Sequence, residues 1–126
     1  MNLLTVLGVS AFGGLGALVR SVQDTVVKAR FGSEYPWGTM TINIVGSFLL
    51  GLITGLAMLA GESEQWTIVL GAGFCGGYTT FSTAMFETAV LLGEQRWRAA
   101  LVNVVGTLAA TLLAAGVGLW LASLAG

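Results

Sequence analysis

Four stretches of this chain contain no Asp, Glu, Lys or Arg: Met1–Val19, Tyr35–Gly61, Gln65–Phe86 and Ala99–Gly126, together 96 of its 126 residues. A helix needs about 20 such residues to cross the hydrocarbon of a bilayer. The first stretch is marginal, but Arg20 can lay its stem on apolar surface and keep its head in water. Little remains for a water-soluble unit. The chain is therefore expected to be an all-α membrane protein. It should form a single domain over residues 1–126, with transmembrane helices at about 2–27, 37–60, 66–92 and 97–124. A cleaved signal peptide is not expected, because Met1–Val19 lacks a basic leader and reaches Arg20 without a clear A-x-A site.

The scarcity of charge excludes several classes. Only 9% of residues are charged, against about 25% in soluble domains. A net charge of −1 offers no basic surface to nucleic acid. The chain has no His, so the usual general base and imidazole ligands are missing. The single Cys75 excludes an internal disulfide and a cysteine metal cluster. No enzyme constellation is visible.

The remaining charges lie in the connections. Residues 21–34 hold Asp24, Lys28, Arg30 and Glu34; residues 61–65 hold Glu62 and Glu64; residues 93–98 hold Glu94, Arg96 and Arg98. Four crossings would leave both termini and the 61–65 connection on one side, without Lys or Arg. All five basic residues would fall on the other side, which the positive-inside rule makes cytoplasmic. Trp37, Trp66 and Trp97 stand at the expected starts of helices 2, 3 and 4, and Trp120 near the end of helix 4. They read as an interfacial belt, with bulky packing as the plainer alternative.

Small and polar residues recur at helical spacing. Helix 2 aligns Thr39, Asn43, Ser47, Gly51 and Gly55 on one face. Helix 4 has Asn103, Thr107 and Thr111 beside Gly106, Ala110, Ala114 and Gly118. The glycines suit close helix packing, which is what associates helices in lipid. Asn43 and Asn103 must find partners or water in hydrocarbon, so each fits either an inter-helix hydrogen bond or a pore wall.

Helix 3 is unusual. Gly71, Gly73, Gly76 and Gly77 precede Tyr78-Thr79-Thr80-Phe81-Ser82-Thr83 at mid-span. Adjacent Gly76 and Gly77 invite a break. Freed backbone at that depth survives only when protein, ion or water satisfies it. Carbonyl oxygens there suit an alkali cation. A packed Gly-rich helix, with hydroxyls bonded back to its own carbonyls, is the alternative. The spans hold no internal acid for proton coupling, Glu87 lying at the edge of its run. Passive movement of an anion past neutral donors and ring edges fits better.

These residues resemble the CrcB/Fluc fluoride channels along the whole chain. Gly13-Gly14-Leu15-Gly16-Ala17-Leu18-Val19-Arg20 is similar to the family's Gly-rich first helix, and Trp37–Gly46 to its second-helix G-T-L-x-x-N-x-x-G. Gly73–Thr83 is close to G-F-x-G-G-x-T-T-F-S-T, the most specific match; Gly106, Thr107 and Thr111 resemble the fourth-helix pattern. The resemblance implies an antiparallel dimer with two pores in a bacterial plasma (inner) membrane. It implies a structural Na⁺, not transported, held by the carbonyls of Gly76 and Thr79. It places Asn43, Phe81, Ser82, Thr83, Thr107 and Thr111 along or beside a fluoride path, with Arg20 and Glu87 near its mouths. The expected function is passive export of F⁻ and fluoride resistance.

One position departs. The family continues F-S-T-F, but the fourth residue here is Ala84, and Phe86 points about 200° away round a helix. The chain could therefore be the pore-impaired half of a heterodimer, which the one-sided basic charge also fits; the homodimer is the family's default. A small multidrug-resistance-type exporter has similar dimensions but needs a first-helix acid that Met1–Val19 lacks.

Overall fold

The computed structural model describes residues 2–59, 61 and 64–125, and these are helical with no strand among them. Three continuous helices are long and apolar enough to cross a membrane: α1 (Leu3–Phe31), α2 (Trp37–Leu59) and α5 (Trp97–Ser123). Between α2 and α5 lie two shorter helices, α3 (residues 64–78) and α4 (Ser82–Gly93), separated by residues 79–81. The third uncharged stretch thus becomes two pieces, neither long enough to span alone. Ala60, Glu62 and Ser63, within the expected second-helix end and 61–65 connection, lie outside the described residues.

α1 runs a full turn past its expected end near residue 27, and the connection to α2 shrinks from 21–34 to 32–36. Local chemistry explains this. Lys28 Nζ pairs with Asp24 one turn earlier at 2.9 Å. Lys28 and Arg30 stand in the last turn, where the carbonyl end of the helix favours cations. Gly32, at φ +83°, then supplies the turn that side-chain-bearing residues rarely adopt. At the other end Asn2 caps the helix by accepting from Thr5 N–H at 2.9 Å.

α1 packs on α3 and α2, and α2 packs along the C-terminal half of α5. Glycines permit these approaches. A Cβ on Gly77 would strike the Gly13 carbonyl; one on Gly51 would strike Ala115, and one on Gly118 the Phe48 carbonyl. The small-residue faces are therefore intrachain seams. The buried apolar set is small, comprising Ile42, Cys75, Tyr78, Ala84, Leu91, Ala100 and Ala122. Leu, Val and Trp cover the outside, with Trp66, Trp97 and Trp120 each about 60% exposed. Trp37 packs against Tyr35, with ring centroids 4.7 Å apart.

The connections before α2 and before α5 meet at one end, where the Arg96 guanidinium donates to the Glu34 carbonyl. This brings the end of α1, with Lys28 and Arg30, close to the connection that holds Arg96.

Candidate functional site: the helix interruption and its cavity

The break falls at residues 79–81, just after the glycine pair. Gly76 and Gly77 remain helical, and Thr79 is the first extended residue, at φ −79° and ψ 160°. The cause lies on α2. Asn43 Oδ1 accepts from Thr80 N–H at 2.9 Å, and Asn43 Nδ2 donates to the Thr80 carbonyl at 2.8 Å. One amide side chain replaces both helical partners of one residue, which answers the demand that backbone in hydrocarbon be satisfied. Asn43 thus makes an inter-helix hydrogen bond and also lines a cavity.

The hydroxyls finish the junction. Thr79 Oγ1 donates to the Cys75 carbonyl at 2.8 Å. Thr80 Oγ1 accepts from Thr83 N–H at 3.2 Å, in the manner of a helix cap for α4. A Cβ on Gly46 would strike the Thr79 methyl, so α2 lies directly against the break. On the α1 side the Tyr78 hydroxyl donates to Gln23 Oε1.

This wiring has a consequence for two carbonyls. In a continuous helix, Thr80 N–H would serve the Gly76 carbonyl and Thr83 N–H the Thr79 carbonyl. Both donors go to side chains instead. Gly76 is also exposed, with open space where a Cβ would project. The two carbonyls that the resemblance implies for a cation are thus among those that lose their helical donors at the break.

A cavity of about 500 Å³ opens beside the break. Asn43, Ser47, Thr79, Thr80, Phe81, Ala84, Asn103, Thr107 and Thr111 line it. It brings together four of the six expected path residues, Asn43, Phe81, Thr107 and Thr111. A second cavity, about 240 Å³, lies between α1 and α2 and is lined by Arg20, Ser21, Asp24, Thr39, Thr80 and Thr83 among others. Thr80 borders both, Thr83 only the second, and Ser82 neither. Ala84 walls the first cavity and is 7% exposed. Phe86 is turned away and 69% exposed, so it does not stand in for an aromatic ring at position 84.

The charged candidates lie off the main cavity. Arg20 faces the second one. Arg20 Nε, Asp24 Oδ1 and Glu87 Oε1 are buried atoms without a hydrogen-bond partner among the described residues. The sequence had not singled out Asp24, Gln23 or Thr88. Asp24 could have been suspected, since it stands one turn from Arg20 on the same face.

Residues 7–119 match the family described as CrcB-like protein, Camphor Resistance (CrcB). The chain is 50% identical over 125 residues to a protein of Leifsonia xyli subsp. xyli named Fluoride-specific ion channel FluC 1, covering 99% of this chain and 91% of that one. It is 45% identical over 121 residues to FluC 2 of Cutibacterium acnes (95% and 98% covered). It is 41% identical over 123 residues to FluC of Pyrococcus abyssi (97% and 98% covered). With three apolar helices of spanning length and matches that run nearly end to end, this multi-pass membrane chain belongs to the CrcB family.

Proposed function

We propose that the chain is a fluoride-selective passive channel, not an enzyme, that lets F⁻ leave a bacterial cytoplasm down its electrochemical gradient. The observation that carries the reading is the Asn43-clamped break beside a largely apolar cavity whose polar groups, Asn43, Ser47, Thr79, Thr80, Asn103, Thr107 and Thr111, are all neutral. The names of the relatives support the choice of ion.

Fluoride is small and strongly hydrated, so dehydration must be offset by donors at short range. Asn43 Nδ2 gives one hydrogen to Thr80 and keeps a second for an anion. Thr107 and Thr111 hydroxyls stand on the same wall, and the positive rim of the Phe81 ring can face an anion. Thr83 and Arg20 border the second cavity, where the guanidinium draws anions toward the mouth; Ser82 and Glu87 complete the expected set. The freed carbonyls of Gly76 and Thr79 suit a structural Na⁺, whose positive potential would favour an anion in a low-dielectric setting. With no coupling carboxylate on the path, an inside-negative potential drives the anion outward with about 2.3 kcal/mol per 100 mV. HF entering from acidic surroundings would dissociate inside and leave as F⁻.

In this reading α3 and α4 together make the fourth crossing, and a second, antiparallel copy covers the break. Phe81 is 77% exposed beside the open cavity, a position that a partner subunit would bury. A second reading rests on Ala84: a cavity walled by a methyl where the family places a ring fits a heterodimer, with the intact aromatic pair on a paralogue.

The test is ion release from liposomes with the potential clamped. Fluoride should leave and chloride should not, and replacing Na⁺ throughout by a large organic cation should stop the flux. Equal fluoride and chloride rates would overturn the proposal. Silence of this chain alone, relieved by a paralogue, would decide for the heterodimer.

A further inference from the structure

Resting on that channel reading, the geometry points to Thr88, acting through Asn103, as the determinant of which anions the main cavity accepts. Thr88 on α4 and Asn103 on α5 are 8% and 4% exposed. The Thr88 hydroxyl donates its single hydrogen to the Ala84 carbonyl at 2.8 Å. It can therefore only accept from its other neighbour, and Asn103 Nδ2 donates to it at 2.9 Å. Thr88 thereby fixes the orientation of the Asn103 amide. The nitrogen faces Thr88, and the oxygen faces Thr107, whose Oγ1 lies 3.5 Å from it.

The hydrogen bonds run in one direction, from Thr107 to Asn103 to Thr88 to the Ala84 carbonyl, and leave Asn103 one further N–H. The Thr107 bond is long for a hydroxyl donor, well beyond the usual 2.7–2.8 Å, and so is weak. An anion in the cavity must take the Thr107 hydrogen from an amide oxygen. That competition is a threshold. A small anion with concentrated charge accepts strongly and wins, whereas a large diffuse anion such as chloride does not. Without the Thr88 hydroxyl, the Asn103 amide loses the contact that holds its nitrogen back. It can turn its N–H groups toward Thr107 and the cavity, which removes the competing acceptor and lowers the threshold.

The experiment compares fluoride and chloride efflux from liposomes for the full-length wild type, Thr88→Val, Thr88→Ser and Asn103→Leu, each checked for unchanged elution in detergent. Thr88→Val should lower the fluoride-to-chloride ratio about tenfold or more while fluoride still passes. Thr88→Ser, which keeps the hydroxyl, should retain the wild-type ratio. Asn103→Leu, which removes the competing oxygen, should also lower it. Unchanged ratios in both Thr88→Val and Asn103→Leu overturn the inference. If neither variant folds, the wild type decides. The chain has three Asn residues, so ¹⁵N-Asn labelling gives three side-chain amide pairs, assigned through their backbones. Fluoride should shift the Asn103 pair and chloride should not; no shift, or equal shifts, overturns the inference. A wild type that carries no fluoride, or carries both ions equally, fails at the channel reading itself and takes this inference with it.

Discussion

Asn43 does with one side chain what two backbone groups do elsewhere in a helix. Its amide is both acceptor and donor for Thr80, so no aliphatic residue can replace it and an acid can replace only half. In Asn43→Asp the acceptor for Thr80 N–H survives. The donor to the Thr80 carbonyl is lost, and a negative charge faces that carbonyl and the anion path. Leaving a part-buried carbonyl unpaired costs about 1–3 kcal/mol, and the charge adds repulsion. Fluoride efflux from liposomes should fall at least tenfold (about 1.4 kcal/mol), and unchanged efflux would remove Asn43 from the site. Asn43 was legible in the sequence as a polar group that needed a partner. Its partner was not, because Thr80 is 37 residues away and no local pattern carries that information.

At the scale of the element, the glycine pair and the break are separate features. Gly77 is helical, and it lies against the Gly13 carbonyl, where a side chain would not fit. The break begins where Asn43 captures Thr80 and where Thr80 captures Thr83. Reading Gly76-Gly77 as the break therefore found the right helix and missed the residues by one turn. The dense hydroxyl run is explained in part by the same junction, since Thr79 and Thr80 close one helix and open the next. Removing the Thr80 hydroxyl takes away the acceptor of Thr83 N–H at the start of α4, a loss of about 1 kcal/mol. Thr80→Val should lower the thermal midpoint in detergent, and Thr80→Ser should restore it. α5 carries a comparable irregularity: its turn at Val102–Gly106 is π-helical and contains the buried Asn103. The sequence marked Asn103 as an isolated amide in hydrocarbon but could not specify its link to Thr88.

At the scale of the whole molecule, three of the four uncharged stretches became continuous apolar helices of spanning length, and the stretch at 65–86 became two shorter ones. The ends were less legible, as with α1, where Asp24, Lys28 and Arg30 looked like connection and proved to be helix. The meeting of Arg96 with the Glu34 carbonyl brings the connections before α2 and α5 to one end, so the Lys and Arg residues are gathered there. An antiparallel homodimer requires both orientations in the membrane. A cysteine at Gln95, in a background where the buried Cys75 is Ser, should then react with a membrane-impermeant maleimide from both faces of the membrane to similar extents. Labelling from the cytoplasmic face alone would reject the homodimer and assign the chain to a heterodimer. The Asn43–Thr80 clamp also bears on how the protein is made. Chains are synthesised from the N-terminus, so residue 43 is made, and emerges, ahead of residue 80. The amide that satisfies the interruption is available when the interrupted segment arrives. The break can form as that segment is inserted, without first exposing unpaired backbone to lipid. A permuted chain that delivered residues 64–93 ahead of residue 43 would lose this order of assembly while keeping every contact of the finished fold.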